Sequence, residues 1–503
     1  MTTASYKLWT GALFCVGIFI FTDPLHAQRV IDYERAEVDK TNYVLRDQGE
    51  TTFLQVLEGV AAQWGKLSGP GSVEKIGSGQ LLLTSTNTYS GGTFVKEGAL
   101  EISGPRATLV HRDSAVTVGN GASFLVTGGG DTQSRSLVLS PTDGSASAVV
   151  SGGSFDGTLF QPSRLTVEDL TVGIFGGGSF IVTDGGLASS TRGEVVAGSS
   201  ATVLGGSSYG GSAHPSAWNN SGDLSVGGTL TIASSGTVVV GEGAGVIHLQ
   251  GDAATLNIGS HDIPSSSGAL VAAEVAGNGT VAFNQTDELF FSPKISGNAR
   301  VAQRGSGTTT IASGTYSGGT TVNGGKLVAG GEHAVGSGDV KITGGTFDTG
   351  GNVLGNNVSM TGGTLRGGGT LGNVDASGGA LAPNGLLKVG SLTLGSASVT
   401  QFGIGLGFDR ISVVGDISFG GTLKLTVDDP LALSHGMTFD LFDWGGTATG
   451  SFLDFQLPEL SEGNHWNLDN LYVDGTIQVA PEPETWILMF VAGAVILGFR
   501  KRI

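Results

Sequence analysis

Cysteine is almost missing from this 503-residue chain: the single one, Cys15, lies in an apolar stretch near the N-terminus. The remainder can form no disulfide, has no thiol nucleophile and offers no cysteine ligand to a metal. Positive charge is also scarce, with 25 Lys and Arg against 43 Asp and Glu and a net charge of −18. Nucleic acid is thereby excluded as a partner, because phosphates require basic patches that are not present. The histidines stand at 26, 111, 214, 248, 261, 333, 435 and 465, and no pair has zinc spacing. A Gly-Gly-x-Gly-x-Asp calcium repeat is missing too. No metal, no cofactor and no catalytic residue is therefore expected.

What the chain has in excess is glycine, 88 residues, beside 39% hydrophobic and only 14% charged residues. Without a Gly-X-Y period this is not collagen-like, and the short alternating apolar runs argue against disorder. It is a repetitive β composition. The N-terminus reads as a secretory leader over residues 1–27: Lys7, the apolar run LWTGALFCVGIFIF (8–21), Pro24, and Leu25-His26-Ala27 before a cleavage point near Gln28. The chain is expected to be exported.

Self-similarity is the strongest signal in the middle. The pattern Val322-Asn-Gly-Gly-Lys-Leu327 returns as Ile342-Thr-Gly-Gly-Thr-Phe347, Met360-Thr-Gly-Gly-Thr-Leu365 and Ala376-Ser-Gly-Gly-Ala-Leu381. The first glycines stand at 324, 344, 362 and 378, so each step is slightly shorter than the last. A β run, a double-glycine corner and a second β run fit one coil of a β-solenoid, with glycine supplying the tight bend. An antiparallel sandwich is the rival arrangement. A longer repeat aligns residues 77–100 with 305–327 and shares Tyr-Ser-Gly-Gly-Thr at 89–93 and 316–320. Alternation places Leu81, Leu83, Val95 and Leu100 inside, with their counterparts Thr309, Ile311, Val322 and Leu327.

These segments resemble the autotransporter-associated β-strand repeat of secreted bacterial passenger domains, and residues 216–241 and 378–479 are similar to passenger coils and a passenger end. That resemblance implies an all-β fold, a right-handed parallel β-helix (β-solenoid) over 28–400 with a C-terminal β cap over 401–480.

An autotransporter would end in an outer-membrane barrel, but no series of ten-residue alternating strands follows Val479. Instead come Pro481-Glu482-Pro483, the uncharged run TWILMFVAGAVILGF (485–499), and Arg500-Lys501-Arg502. The prolines keep 480–482 extended and accessible and let a helix begin only at about Thr485. Fifteen helical residues reach about 22 Å, just short of a hydrocarbon core, so the fold is expected to include one C-terminal transmembrane helix. The basic cluster favours the cytoplasmic side. This tail, residues 481–503, closely resembles the PEP-CTERM sorting signal. The resemblance implies a motif at Pro481, Glu482 and Pro483, a membrane stop at Arg500, Lys501 and Arg502, and an exosortase as processing partner. It further implies a transient inner-membrane anchor, a final place at the cell surface or outside the cell, and an association with exopolysaccharide or biofilm.

Catalytic alternatives are weak. Asp428-Asp429 is the tightest acidic pair but precedes Pro430 and reads as a turn. Residues 206–210 have the Gly-x-Ser-x-Gly form, yet no helix follows Ser208 to build a nucleophile elbow. Residues 238–245 sit after a strand like a dinucleotide loop, again with no helix behind them. Trp218, Trp444 and Trp466 suit packing better than sugar stacking. The expected function is a non-enzymatic, exported structural protein of the cell surface or extracellular matrix. A glycan- or cell-binding adhesin and a polysaccharide-active β-helix enzyme are the alternatives.

Overall fold

The computed structural model describes residues 29–482 apart from 120, 143, 210–211, 261, 405–408 and 428–432. The chain divides into two compact units, Met1–Val301 and Ala302–Ile503.

In the first unit, period-two alternation sets the local structure. Strand Thr51–Val56 buries Thr52, Leu54 and Val56 and turns Thr51, Phe53 and Gln55 outward. Each fully buried aliphatic side chain stabilises the fold by about 1.5–3 kcal/mol, so a one-residue slip of register would forfeit the whole inner row. The strand has a parallel neighbour on either side, Arg29–Tyr33 and Ser72–Ile76. Parallel neighbours need a crossover, and here two further strands make it: Val60–Gln63 and Leu67–Gly69. Each of these pairs in parallel with its own copy one coil later, Gln80–Leu83 and Thr86–Tyr89. Three short strands per coil, stacked coil on coil, are the arrangement of a β-solenoid. Coil length varies, from the short step that pairs Gln80 with Ala99 to the long one that pairs Asp131 with Arg164.

The second unit carries the double-glycine repeats. Lys326 pairs with Thr346, Thr346 with Thr364 and Thr364 with Ala380, so each step between double glycines is a single coil. The second glycine of each pair has a left-handed backbone, +62° at Gly345 and +68° at Gly363. A Cβ on Gly363 would stand 2.7 Å from the carbonyl carbon and oxygen of Gly344 one coil back. Corners stacked this closely leave no room for a side chain. Parallel pairing continues to Thr422–Val427 against Asp454–Gln456. Thr438–Asp440, Thr476–Pro481 and Asn464–Asn467 then form a three-stranded antiparallel sheet. Nearby, the Phe419 ring lies within 5.8 Å of the rings of Phe442, Trp444, Phe452 and Tyr472.

The fold is thus all-β and largely parallel, and among the described residues antiparallel pairing is found in this sheet, in two hairpins and at the bridge between Ala233 and Ser267. One part of the expected fold class is corrected. Among the described residues the single helix is the three-residue 3-10 turn Gly241–Gly243, and no helix is long and apolar enough to cross a membrane. Glycine-rich runs with β-branched alternation supply strands and corners here, and sustained helical periodicity is missing from them. The run at 485–499, on which the transmembrane expectation rested, lies outside the described residues.

Candidate functional site

The shared Tyr-Ser-Gly-Gly-Thr motif builds the same object twice. Tyr89 and Tyr316 are both fully buried, and each hydroxyl lies 2.6 Å from the Oγ1 of the threonine four residues on, Thr93 and Thr320. A buried phenol without a partner would cost about 1–3 kcal/mol, so the threonine makes tyrosine admissible inside the coil. Burial raises both phenols well above their ordinary pKa. The eight apolar-register positions around the two motifs, from Leu81 to Leu100 and from Thr309 to Leu327, are all buried as alternation requires.

In the first copy the pair extends to a third group. His111 Nε2 is 3.0 Å from Thr93 Oγ1, and His111 Nδ1 is 3.3 Å from the Ser114 carbonyl. A carbonyl only accepts, so Nδ1 carries the proton and Nε2 accepts from the Thr93 hydroxyl, which in turn accepts from Tyr89. Burial pushes the His111 pKa below its ordinary value, although the Ser114 carbonyl pulls it back up. The Tyr89 phenol lies 5.7 Å from the ring between centroids and the Thr93 hydroxyl is bonded to it, and neither carries a charge. With the folded pKa depressed, the neutral ring's contribution is complete above the ordinary value of 6.5 and is lost as pH falls through the folded value. Between pH 7 and 5 the protein is expected to lose thermal stability, and H111Q, which keeps a hydrogen-bonding side chain but does not titrate, is expected to lose less. Melting curves of both across that window check it; parallel slopes would contradict it.

A second device escaped the sequence reading. Four buried donors each reach forward to the carbonyl of the glycine two residues on: Gln63 to Gly65, Lys75 to Gly77, Asn220 to Gly222 and Gln303 to Gly305. Each closes a coil corner from inside. The signal is an amide or lysine two residues before glycine at the end of an alternating run, and Lys75 and Gln303 occupy equivalent places, each two residues ahead of its long repeat. Burial lowers the Lys75 ammonium to about 8, with Glu97 acting in the opposite direction.

The candidates for chemistry are not brought together. Ser208 lies in the antiparallel hairpin formed by Gly206–Tyr209 and Ser212–Pro215, exposed and without an elbow. Residues 238–245 run from strand Thr237–Val240 through the 3-10 turn toward strand Val246–Leu249. Asp428 and Asp429 lie outside the described residues. Trp218 is fully buried, donating to Ser190 Oγ at 2.9 Å and meeting the Phe180 ring edge-on at 5.5 Å. Trp466 donates to the Pro458 carbonyl at 2.9 Å, and Trp444 packs on Phe419. Among the described residues no group of three or more histidines and carboxylates could hold a metal. A surface cavity of about 300 Å³ is lined by Asp339, Asn357, Asn373 and Asp375. Its groups bind each other across coils: Asn357 donates to Asp339 at 3.2 Å and accepts from the Asn373 amide at 3.0 Å.

At the expected motif, the exposed Pro481 ends strand Thr476–Pro481 opposite Asn464, and the exposed Glu482 donates its amide to the Gly463 carbonyl at 2.9 Å. Pro483, Arg500, Lys501 and Arg502 lie outside the described residues.

No curated protein matches the chain. A family model, the passenger-associated-transport-repeat, matches residues 73–102 and 301–329, the two segments that contain the tyrosine–threonine pairs. The tail lies outside both matched segments. Since no helix among the described residues is long and apolar enough to cross a membrane, the reading of an exosortase substrate held transiently in the inner membrane is withdrawn. With it go the exosortase and the inner membrane as partners and the exopolysaccharide association inferred from them. What the comparison shows is two passenger-type repeats in an all-β, largely parallel chain.

Proposed function

We propose that the chain is an exported, passenger-type structural domain rather than an enzyme. The observation that carries this reading is where its buried polar groups point. Tyr89, Tyr316, Lys75, Gln63, Asn220 and Gln303 all turn inward onto a hydroxyl or a corner carbonyl, where they hold coils in place. An active site needs such groups aimed at a cleft with shifted proton affinities. The leader over residues 1–27 supports export, and the matched repeats support the passenger assignment.

Two measurements test the two halves. In a Gram-negative host the full chain is expected outside the cytoplasm, and a variant lacking residues 2–27 inside it; equal retention of both would refute export. Purified protein is expected to leave a panel of acidic and neutral polysaccharides at unchanged chain length. Depolymerisation by the parent that disappears in a single-carboxylate variant would refute the structural role.

A further inference from the structure

The strands of residues 29–50 pair on one side only. Arg29–Tyr33, Val38–Asp39 and Tyr43–Val44 lie against Thr51–Val56, Val60–Gln63 and Leu67–Gly69, and no other described strand adjoins them. Their free edges belong to the same three columns that the next coil extends through Ser72–Ile76, Gln80–Leu83 and Thr86–Tyr89. Each of the three strands also turns a valine outward: Val30 is 51% exposed, Val38 46% and Val44 52%. Parallel edges bearing β-branched side chains are a template on which another chain can build.

The side chains around these edges oppose such growth. Residues 29–50 contain ten charged side chains, four basic and six acidic, whereas residues 51–71 contain two. Arg29 and Asp32 flank Val30, Glu37 and Asp39 flank Val38, and Arg46 follows Val44. Two of the three strands are only two residues long, against four and three in the strands they pair with. Part of the edge is already occupied from within. Tyr43 and Leu45 donate their amides to Lys66 and Ser68 of the next coil, so the Val44 carbonyl between them points away from it. Arg29 Nη1 takes that carbonyl at 3.2 Å, and its guanidinium lies 4.8 Å over the Tyr43 ring. The Tyr43 hydroxyl donates in turn to Asp39 Oδ2 at 2.6 Å, and Glu37 Oε2 accepts the Glu34 amide at 2.7 Å.

From these one-sided strands, their outward valines and the charged, internally bonded groups beside them, we propose that residues 29–50 are a closing coil that bars a second copy of this chain from extending the three ladders. A second copy is the partner excluded, because it carries the same three edges and two such coils would meet in an isologous contact. Joining them would break the Arg29 contacts and strip water from Asp32, Glu34, Arg35, Lys40, Arg46 and Asp47, all exposed. Two-residue strands return few ladder bonds for that desolvation, and interface centres are poor in Lys, Asp and Glu for the same reason.

Those six charges divide evenly by sign, so replacing them together leaves the net charge at −18. The test variant is D32T/E34T/R35T/K40T/R46T/D47T, with threonine chosen because it suits a strand. A control, R106T/D113T/R135T/R164T/E168T/E194T, removes as many exposed charges of each sign from later coils. Sedimentation of the purified chains across a concentration series reads their oligomeric state. Parent and control are expected as single copies and the test variant as dimers, with self-association at least about tenfold tighter than the control's. Amide hydrogen exchange from Val30 to Val44 is expected to slow as those dimers form. The milder D32T/R46T, which keeps the Arg29–Tyr43 contact, is expected to melt like the parent and to dimerise more weakly, and it decides the matter if the sixfold variant does not fold. Equal association of the control, single copies in both test variants, or a parent that already dimerises through these strands would overturn the proposal.

Discussion

Replacing Gly363 by valine is expected to destabilise the second unit by more than about 4 kcal/mol, among the largest effects a single substitution produces. Two independent costs add at this position. The backbone is left-handed, with φ at +68°, which penalises any L side chain by about 1–2 kcal/mol and a β-branched one most. The new Cβ would also lie 2.7 Å from the carbonyl carbon and oxygen of Gly344 and from the oxygen of Gly345. Those atoms belong to the adjacent coil and are themselves fixed by the ladder in which Thr346 pairs with Thr364. No flexible side chain can give way. Gly385 separates the two costs, because its φ is +84° but nothing lies within 4 Å of its Cβ position. G385A should lose only about 1 kcal/mol for the dihedral, and G363A should lose clearly more. Urea unfolding of the three variants, with hydrogen exchange at Thr364 and Leu365 as a local readout, measures the difference. Equal losses for G363A and G385A would show that the stacked corners can spread apart.

That column of corners was the most legible part of the chain. The shortening steps from Gly324 to Gly344, Gly362 and Gly378 translate directly into coil register, because a coil can lengthen or shorten only at its corners while its strands stay in phase. The inward positions were equally readable, since Leu81 and Ile311 follow strict alternation. A turn that recurs at every second coil of the first unit was harder to see. Val, Leu and Ile substitute freely for one another at inward positions, and the tight turns at 128, 184 and 234 are not evenly spaced. The left-handed pairs at 128–129, 184–185 and 234–235 are written as Gly-Gly, Asp-Gly and Ser-Ser, so a common geometry has no common spelling. The tail misled in the opposite way. Residues 481–503 form a vivid pattern of proline, apolar run and basic stop, and pattern alone supported a membrane step that neither the described fold nor the matched repeats uphold.

Lys75 was illegible for a different reason: a lysine in an amphipathic strand is ordinarily read as facing water. Here it is fully buried, and its ammonium donates to the carbonyls of Ile76 at 2.9 Å, Gly77 at 2.7 Å and Glu97 at 3.2 Å. The equivalent Gln303 reaches the carbonyls of Gly305 and Gly307 at 3.2 and 3.3 Å, so the chain itself contains the conservative replacement. K75L is expected to cost about 3 kcal/mol, because the carbonyls that the ammonium satisfies lose a charged donor inside the fold. K75Q is expected to cost about 1 kcal/mol, the amide restoring two of the bonds but burying an oxygen that, like Gln303 Oε1, finds no donor among the described residues. A purely steric role would order the variants differently, since leucine fills an apolar interior at least as well as glutamine. The sign of the pH dependence provides a second check. The folded pKa of about 8 lies below the ordinary 10.5, so between those values the unfolded chain binds more protons and stability rises with pH. K75Q should remove that rise, most cleanly between pH 8 and 9.5, before the buried tyrosines Tyr89 and Tyr316, whose pKa values are raised, begin to ionise in the unfolded chain and reverse the trend. If K75L proves as stable as K75Q, or if the rise persists in both, the ammonium does not hold this corner.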